Sequence, residues 1–500
     1  MLNVRGGEDN GSGKQKPNAY LTVCLALCLA VILSLCMTLI DGARRNGARM
    51  ETECVMDIGL QSIMAEYHRE LMKQYNLFAI DSSYGTGSCS KVNTESHLRK
   101  YLARNFSYDD ILFSKFIYGD FFGLEVKEAQ LKKVSILTDY DGGVFRNCAV
   151  EAVKSDIGIG LLQDIQEWMQ VVEVNGLEEG KEEAQKQDLD AQIGEWMAEY
   201  NGTEVEIEEG EWETVELYNP TEALEGKKNL GILKLVTEGE ETLSQNALDT
   251  DNLVMARMER GQINRGNLEQ KAQSETGGLL EKFLFQEYLL QCMGRYGAEC
   301  EEDALRYQIE YLIVGNGSDI ENLRSMANRL CILREAANAM YLWSNEAKRA
   351  EIKLIAGLVC TLILLPELIP ILEGAILLAW AYAESIYDVK TLLAGGKVPL
   401  LKDDNSWHYG LSAALAGDLQ DKGAGEEGLG YIDYLRIFMM FTNVNTITAR
   451  AMNMVEADIR NTPGNSAFRL DGCYETVEAY VKVGSRHGFE YEITRRKSYH

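Results

Sequence analysis

The stretch NLFAIDSSYG, residues 76 to 85, is the one place where side-chain types and spacing invite chemistry. An apolar run ends there in Asp81-x-Ser83-x-Gly85, and hard oxygen ligands on a loop at a strand's end suit Mg²⁺. A full site of that kind carries Asp-x-Ser-x-Ser, a Gly-rich series of parallel strands and helices behind it, and a later Thr or Asp. Here Gly85 stands in the last Ser position, no such series follows, and no later partner can be assigned. The other reading is a strand closed by an Asx or Ser turn at Asp81-Ser82-Ser83, with Gly85 supplying a positive φ. The turn is preferred, so no metal ligand is assigned.

Other reactive constellations are missing. The five His, at 68, 97, 408, 487 and 500, form no His-Glu-x-x-His and no pair at i, i+3 or i, i+4. Neither a Gly-x-Ser-x-Gly elbow nor a Gly-x-x-x-x-Gly-Lys-Ser/Thr phosphate loop is present, and Gly158-Ile159-Gly160 lacks the third Gly of a dinucleotide turn. The eleven Cys include no Cys-x-x-Cys outside the first apolar run; Cys292 and Cys300 would bridge only if the chain turned at Gly294 or Gly297. The expectation is a protein that is not an enzyme, with no catalytic, cofactor-binding or metal residue and no cofactor.

The elements that would position any site begin with AYLTVCLALCLAVILSLCMTLI, Ala19 to Ile40, which holds no charge. At about 1.5 Å per helical residue it reaches about 33 Å, enough for a hydrocarbon core of about 30 Å. A secretory apolar region is shorter and ends at small residues, whereas this one runs into Leu39-Ile40-Asp41. The expectation is a retained transmembrane helix, 19–40, in contact with the lipid bilayer, behind a cytoplasmic tail, 1–18. Arg5, Lys14 and Lys16 precede it and Arg44, Arg45 and Arg49 follow, so flanking charge sets no orientation. A short tail and a long body favour the body outside. Apolar residues at Met50, Cys54, Ile58, Met64, Leu71 and Phe78 extend the helix into a stem, 41–76, in which Gly42, Gly47 and Gly59 are points for bends.

A small β-containing region, 77–145, follows, with one or two strands in 121–137 and a turn at Asp141-Gly142-Gly143. A helical stretch, 146–172, leads to an acidic insertion, 173–216, with sixteen Asp and Glu against Lys181 and Lys186; two short helices around Gly176 to Gly194 and then a loop are expected there. The body, 217–470, reads as amphipathic helices at 277–313 and 318–350, the second opened by a capping box at Ser318-Asp319-Ile320-Glu321. Leu354 to Ala383 is apolar enough to raise a second crossing, but Glu367 and Glu373 with Pro366 and Pro370 favour two buried helices joined by a corner. Cys473, Glu475, Val477, Ala479, Val481 and Val483 alternate on one strand face, and a turn at 484–488 makes residues 471–500 a β-hairpin. The early and late β elements are expected to meet in one sheet. The fold class is thus mainly α with a small β element, α+β. The net charge of −28 makes nucleic acid a poor partner.

FAIDSSYG (78–85), EYLIVGNGSDIENL (310–323), REAANAMYL (334–342), LLAWAYAESIYDVKTLLAGGKVPLLK (377–402) and YEITRRKSY (491–499) together resemble an uncharacterised family of single-span proteins from Gram-positive anaerobes, itself TadE/TadG-like and associated with Tad (Flp) pilus loci. The resemblance takes in most of the chain apart from the acidic insertion. It implies an extracytoplasmic body and a structural or assembly role in a pilus or secretion apparatus, with Tad machinery proteins as partners. Gly13-Lys14-Gln15-Lys16-Pro17-Asn18 departs from a prepilin cleavage site, because no Glu follows five residues on. That departure, and the size of the body, point to an accessory or tip protein rather than a shaft subunit. A surface-anchored ligand-binding or sensory protein is the second expectation.

Overall fold

The computed structural model of the chain describes residues 19–107, 122–154, 159–177, 192, 195, 204–208, 211–214, 224, 227, 230–269, 278–300, 302–362, 369–419, 423, 425 and 427–499. In chain order the principal elements are α1 (Ala19–Met64), α2 (Arg69–Tyr75), β1 (Ile80–Asp81), α3 (Lys91–Phe106), β2 (Leu124–Ile136), α4 (Asp139–Val153), α5 (Ile159–Val174), β3 (Glu204–Glu208), β4 (Glu211–Thr214), α6 (Leu279–Cys292), α7 (Gln308–Val314), α8 (Asp319–Ser344), α9 (Glu346–Leu362), α10 (Ile369–Leu393), β5 (Lys397–Val398), β6 (Leu429–Gly430), α11 (Tyr431–Phe441), α12 (Val444–Asn461), β7 (Cys473–Ser485) and β8 (Glu490–Ser498). The protein is predominantly helical α+β, and its residues divide into two units.

The first unit takes residues 1–65, 94–132 and 478–497. Its α1 has two halves. From Tyr20 to Ile40 the large apolar side chains are exposed, and the most apolar window of the helix is 0 % buried, so α1 is a candidate membrane anchor. From Ala48 onward, Thr52, Val55, Met56, Leu60 and Ile63 recur at helical spacing and are buried, which is the pattern of a packed face. Two of the three glycines expected to bend the helix instead let neighbours come close. A Cβ on Gly59 would lie 2.8 Å from Leu102 of α3, and one on Gly47 would lie 2.7 Å from the Phe122 ring. Close packing there offsets the roughly 1 kcal/mol that Gly costs in a helix. The expected stem is shorter than read: α1 stops at Met64, and α2 is a separate helix begun by His68, whose Nδ1 accepts the Leu71 N–H. The rest of the unit is most of α3, β2 and β7 together with β8, and β8 pairs β7 as the expected hairpin.

The second unit takes residues 66–93, 133–477 and 498–500. β1 pairs antiparallel with the start of β7, Ile80 opposite Tyr474 and Asp81 opposite Cys473, so the early and late β elements do share a sheet. β2 is one strand of that sheet, not two. After it Tyr140, Asp141 and Gly142 all have positive φ, which places the expected turn inside the range of α4. At Gly142 a Cβ would meet Thr448 at 2.5 Å on a φ of +80°, so this turn needs Gly.

Several helices are shorter than their apolar periodicity suggested. The stretch 277–313 is two helices, because the chain leaves α6 at Met293 and turns at Gly297, φ +78°, before α7. The stretch 318–350 breaks at Asn345, whose own carbonyl Oδ1 accepts the Lys348 N–H and starts α9. The capping box at Ser318 does not form: Ser318 is extended and its side chain makes no cap bond. Asp319 binds elsewhere, accepting from the Ser244 hydroxyl and from the Arg306 and Tyr307 N–H groups.

In the apolar stretch, α10 is the buried core helix expected, with 72 % of its most apolar window covered. Its partner α9 is only half buried: Ile352 and Ala356 face the interior while Leu354 and Leu358 are exposed. The Pro366–Pro370 corner lies for the most part outside the described residues, and so does most of the acidic insertion. Within the insertion β3 and β4 form an antiparallel pair, Glu204 opposite Thr214 and Glu206 opposite Trp212, where a loop was expected. Alternation in EVEIE is the strand signal, period two.

Candidate functional site

The Asp81 motif is a turn. Asp81 accepts the Ser83 N–H and hydroxyl, both at 2.8 Å, and the Gly85 N–H at 3.3 Å, while Gly85 takes φ +81°. These bonds are those of an Asx turn. No cluster of three His, Cys, Asp or Glu suited to a metal occurs among the described residues. Cys292 and Cys300 are free thiols that border a cavity of about 960 Å³ with Tyr75 and Asp458. Burial pushes the Cys292 thiol up to about 11, so it is a poor nucleophile near neutral pH.

The densest polar chemistry lies elsewhere, in side chains that sequence reading passed over. Arg334 of α8 and Glu384 and Asp388 of α10 are 0 % exposed. Asp388 accepts from Arg334 Nε at 3.0 Å and Asn338 Nδ2 at 3.0 Å, and its other oxygen takes Lys402 Nζ at 2.6 Å. Lys402 also bridges Glu384, which accepts the His408 and Tyr409 N–H groups at 2.8 Å each. Arg334 Nη1 donates to the Pro399 and Leu400 carbonyls at 2.9 and 2.7 Å. Two cations and two carboxylates thus balance, and their remaining bonds pin the chain from Pro399 to Tyr409 onto α8 and α10.

Aromatic rings close over this cluster. Trp407 stacks on Tyr341 at 5.1 Å and meets Trp380 edge-on, Lys348 sits 4.8 Å above the Trp407 ring, and His408 stacks on Tyr387 at 3.9 Å. Trp380 Nε1 and Trp407 Nε1 share the Tyr409 carbonyl as acceptor. A cleft of about 560 Å³ opens beside them, bordered by Tyr387, Lys397, Lys402, Trp407 and His408. The charges are spent on one another, so the arrangement holds a loop and shapes a cleft.

A second cluster has the same logic. Arg257, on a short helix Val254–Glu259, forks onto Glu456 with two bonds of 2.7 Å and reaches Asp471 at 2.7 Å. Arg460 adds to Glu456 and Arg469 to Asp471. Burial alone would raise Asp471, but hydrogen bonds from Arg469 and the Asn264 N–H, with the charges of Arg257 and Arg469, hold it below the usual carboxylate range.

Two other buried carboxyls have no cation partner among the described residues. Glu310 accepts from Tyr431 O–H at 2.7 Å and from the Tyr296 N–H at 3.0 Å, and its second oxygen is buried with no hydrogen-bond partner among the described residues. Asp458 accepts from Tyr75 O–H, Gln308 Nε2 and the Ala304 N–H. Desolvation dominates in both and pushes each up to about 7. Together with Asp319 they fasten the segment between α6 and α7.

What the fold and these clusters define is a mainly helical α+β protein with two buried ion clusters. Over residues 210–485 the sequence matches a family of unknown function, DUF5702, and with more than half of its length matched the chain belongs to that family. The matched stretch contains both ion clusters and leaves out α1. No curated protein and no solved structure matches the chain.

Proposed function

We propose that this protein is a non-enzymatic, membrane-anchored structural or assembly component of a Tad/Flp-type pilus or secretion apparatus. It crosses the bilayer once through residues 19–40 and carries its body on the extracytoplasmic side. The observation that carries the anchoring is α1 itself: an uncharged, uncovered apolar stretch continues without a break into a packed helix face of the same unit. The pilus assignment draws on the TadE/TadG-like stretches. Three of them hold the polar residues that lock the body: Glu310, Asp319 and Asn322; Arg334 and Asn338; Glu384, Asp388 and Lys402. Residues kept busy in this way build a rigid docking body rather than a reactive centre.

The test has two arms. Alkaline carbonate should leave the full chain in the membrane pellet, and protease added to intact cells should remove the body; release by carbonate, or a mature chain starting after Ile40, overturns the anchor. Copurification in mild detergent should recover pilus platform or secretion ATPase proteins, and their absence overturns the assembly role. The cleft beside Trp407 supports a second reading, a surface-anchored ligand-binding protein. A small molecule that raises the thermal midpoint in the wild type and not in Trp407→Ala would favour it.

A further inference from the structure

We infer that the β7–β8 turn, with the arginines that follow the apolar stretch of α1, forms a surface for the anionic phospholipid headgroups of the bilayer that α1 crosses. The inference rests on α1 being the membrane span. Helix geometry then fixes the depth: Arg45 lies about 7.5 Å of helical rise beyond Ile40, inside the headgroup layer that borders the hydrocarbon core. Two contacts tie the hairpin to that turn of helix. Tyr491 O–H donates to the Arg45 carbonyl at 3.1 Å, and the Arg45 guanidinium lies 4.3 Å from the centre of the Phe489 ring. A second strand end is held at the same level. The Ser485 hydroxyl donates to the Phe122 carbonyl at 2.6 Å, the Arg486 N–H donates to the Gly123 carbonyl at 2.9 Å, and the Phe122 ring lies against Gly47. All of these residues belong to the first unit.

Side-chain chemistry at this level suits a charged lipid surface. Phe122, Phe489 and Tyr491 gather around residues 45 to 47, at the depth where aromatic rings are favoured at a membrane. Between Asp41 and Arg49 the chain has one acid against three Arg, and the turn from Ser485 to Phe489 adds Arg486 and His487 with no acid, in a protein of net charge −28. Asp41 pairs with Arg45, Glu53 with Arg49, and Glu490 with Lys127 and Lys482. Arg486 and His487 are exposed. Basic side chains within a Debye length of an anionic leaflet are drawn to it, and a zwitterionic leaflet offers no such attraction.

The experiment uses the full chain in lipid nanodiscs of phosphatidylcholine alone or mixed with phosphatidylglycerol, with amide hydrogen exchange read over residues 485–491. Exchange there is expected to slow about ten-fold in the anionic discs, with the slowing lost at high salt and in the Arg486→Gln, His487→Gln double variant. Exchange in α3 serves as the folding control and should not differ between lipids or variants. Equal rates in the two lipids, or slowing that survives the double substitution, overturn the inference while leaving the anchor intact. Failure of the wild type to enter either disc overturns the anchor itself.

Discussion

Among the described residues two helices, α1 and α10, are long and apolar enough to cross a bilayer, and they differ in what surrounds them. The apolar window of α1 is bare, whereas 72 % of the corresponding window of α10 is covered by protein. They also differ in what polar groups they carry. Ala19 to Ile40 has no charged residue, while α10 holds Glu384 and Asp388 one turn apart, each locked to Lys402, and Asp388 also to Arg334. Both pass on length and composition, at mean hydropathies of 2.9 for α1 and 1.4 for α10, and the fate of the charges parts them further. A carboxylate facing lipid would be unpaired, and one facing protein can be matched.

The strongest way to break this comparison is to remove one member of the cluster. Asp388→Ala should destabilise the chain by about 3–5 kcal/mol, because buried Arg334 loses its carboxylate and Lys402 is left with Glu384, while Arg334→Met with Asp388→Leu should cost less than Asp388→Ala alone. Denaturant unfolding in detergent measures both, and an Asp388→Ala protein of wild-type stability would mean that α10 is not a core helix. Glu310 and Asp458 sharpen the contrast, since they are buried and have no cation partner among the described residues. A carboxyl whose folded value is raised to about 7 contributes most below its unfolded value, and that contribution falls away as pH rises through 7. Each should therefore lose roughly 3 kcal/mol between about pH 4 and pH 8, a slope that Glu310→Gln and Asp458→Asn should flatten in unfolding curves taken across that range.

On the other helix, Leu29→Arg should disfavour insertion by about 3 kcal/mol and appear as a larger carbonate-soluble fraction, with the unfolding of the second unit unchanged. Within its packed half, Gly59→Val should cost about 1–3 kcal/mol by overpacking against Leu102. Gly42→Ala, with no atom within 4 Å of the new Cβ, should instead raise helix stability by about 1 kcal/mol or less. Thermal unfolding of the pair separates a glycine kept for contact from one that is not.

Both apolar helices, the alternating strand β7 and the meeting of β1 with β7 could be read from local pattern, because burial on one face imposes a period. The ion clusters could not. Arg334 and Lys402 are far from Asp388 in sequence, and no spacing rule links them; the available signal was two acids at i, i+4 inside an otherwise apolar helix. Helix ends were misjudged where a glycine or an asparagine overrode periodicity, as at Gly297 and Asn345. The strand pair β3–β4 was hidden by its charge: counting Glu residues drew attention away from the Val and Ile that alternate with them. For the Asp81 turn, the same residues write a cation loop or a closed turn, and only the direction of the Ser83 and Gly85 N–H groups distinguishes them.

The unit built around α1 joins residues 1–65 and 94–132 to residues 478–497, far away in sequence. α1 leaves the ribosome long before β8, the strand that completes the unit. Throughout elongation the face from Ala48 to Ile63 lacks part of its covering, and a stop codon introduced near residue 478 would leave it so permanently. Quality control that senses exposed apolar helix would thus act on chains that lack β8 and spare those that carry it.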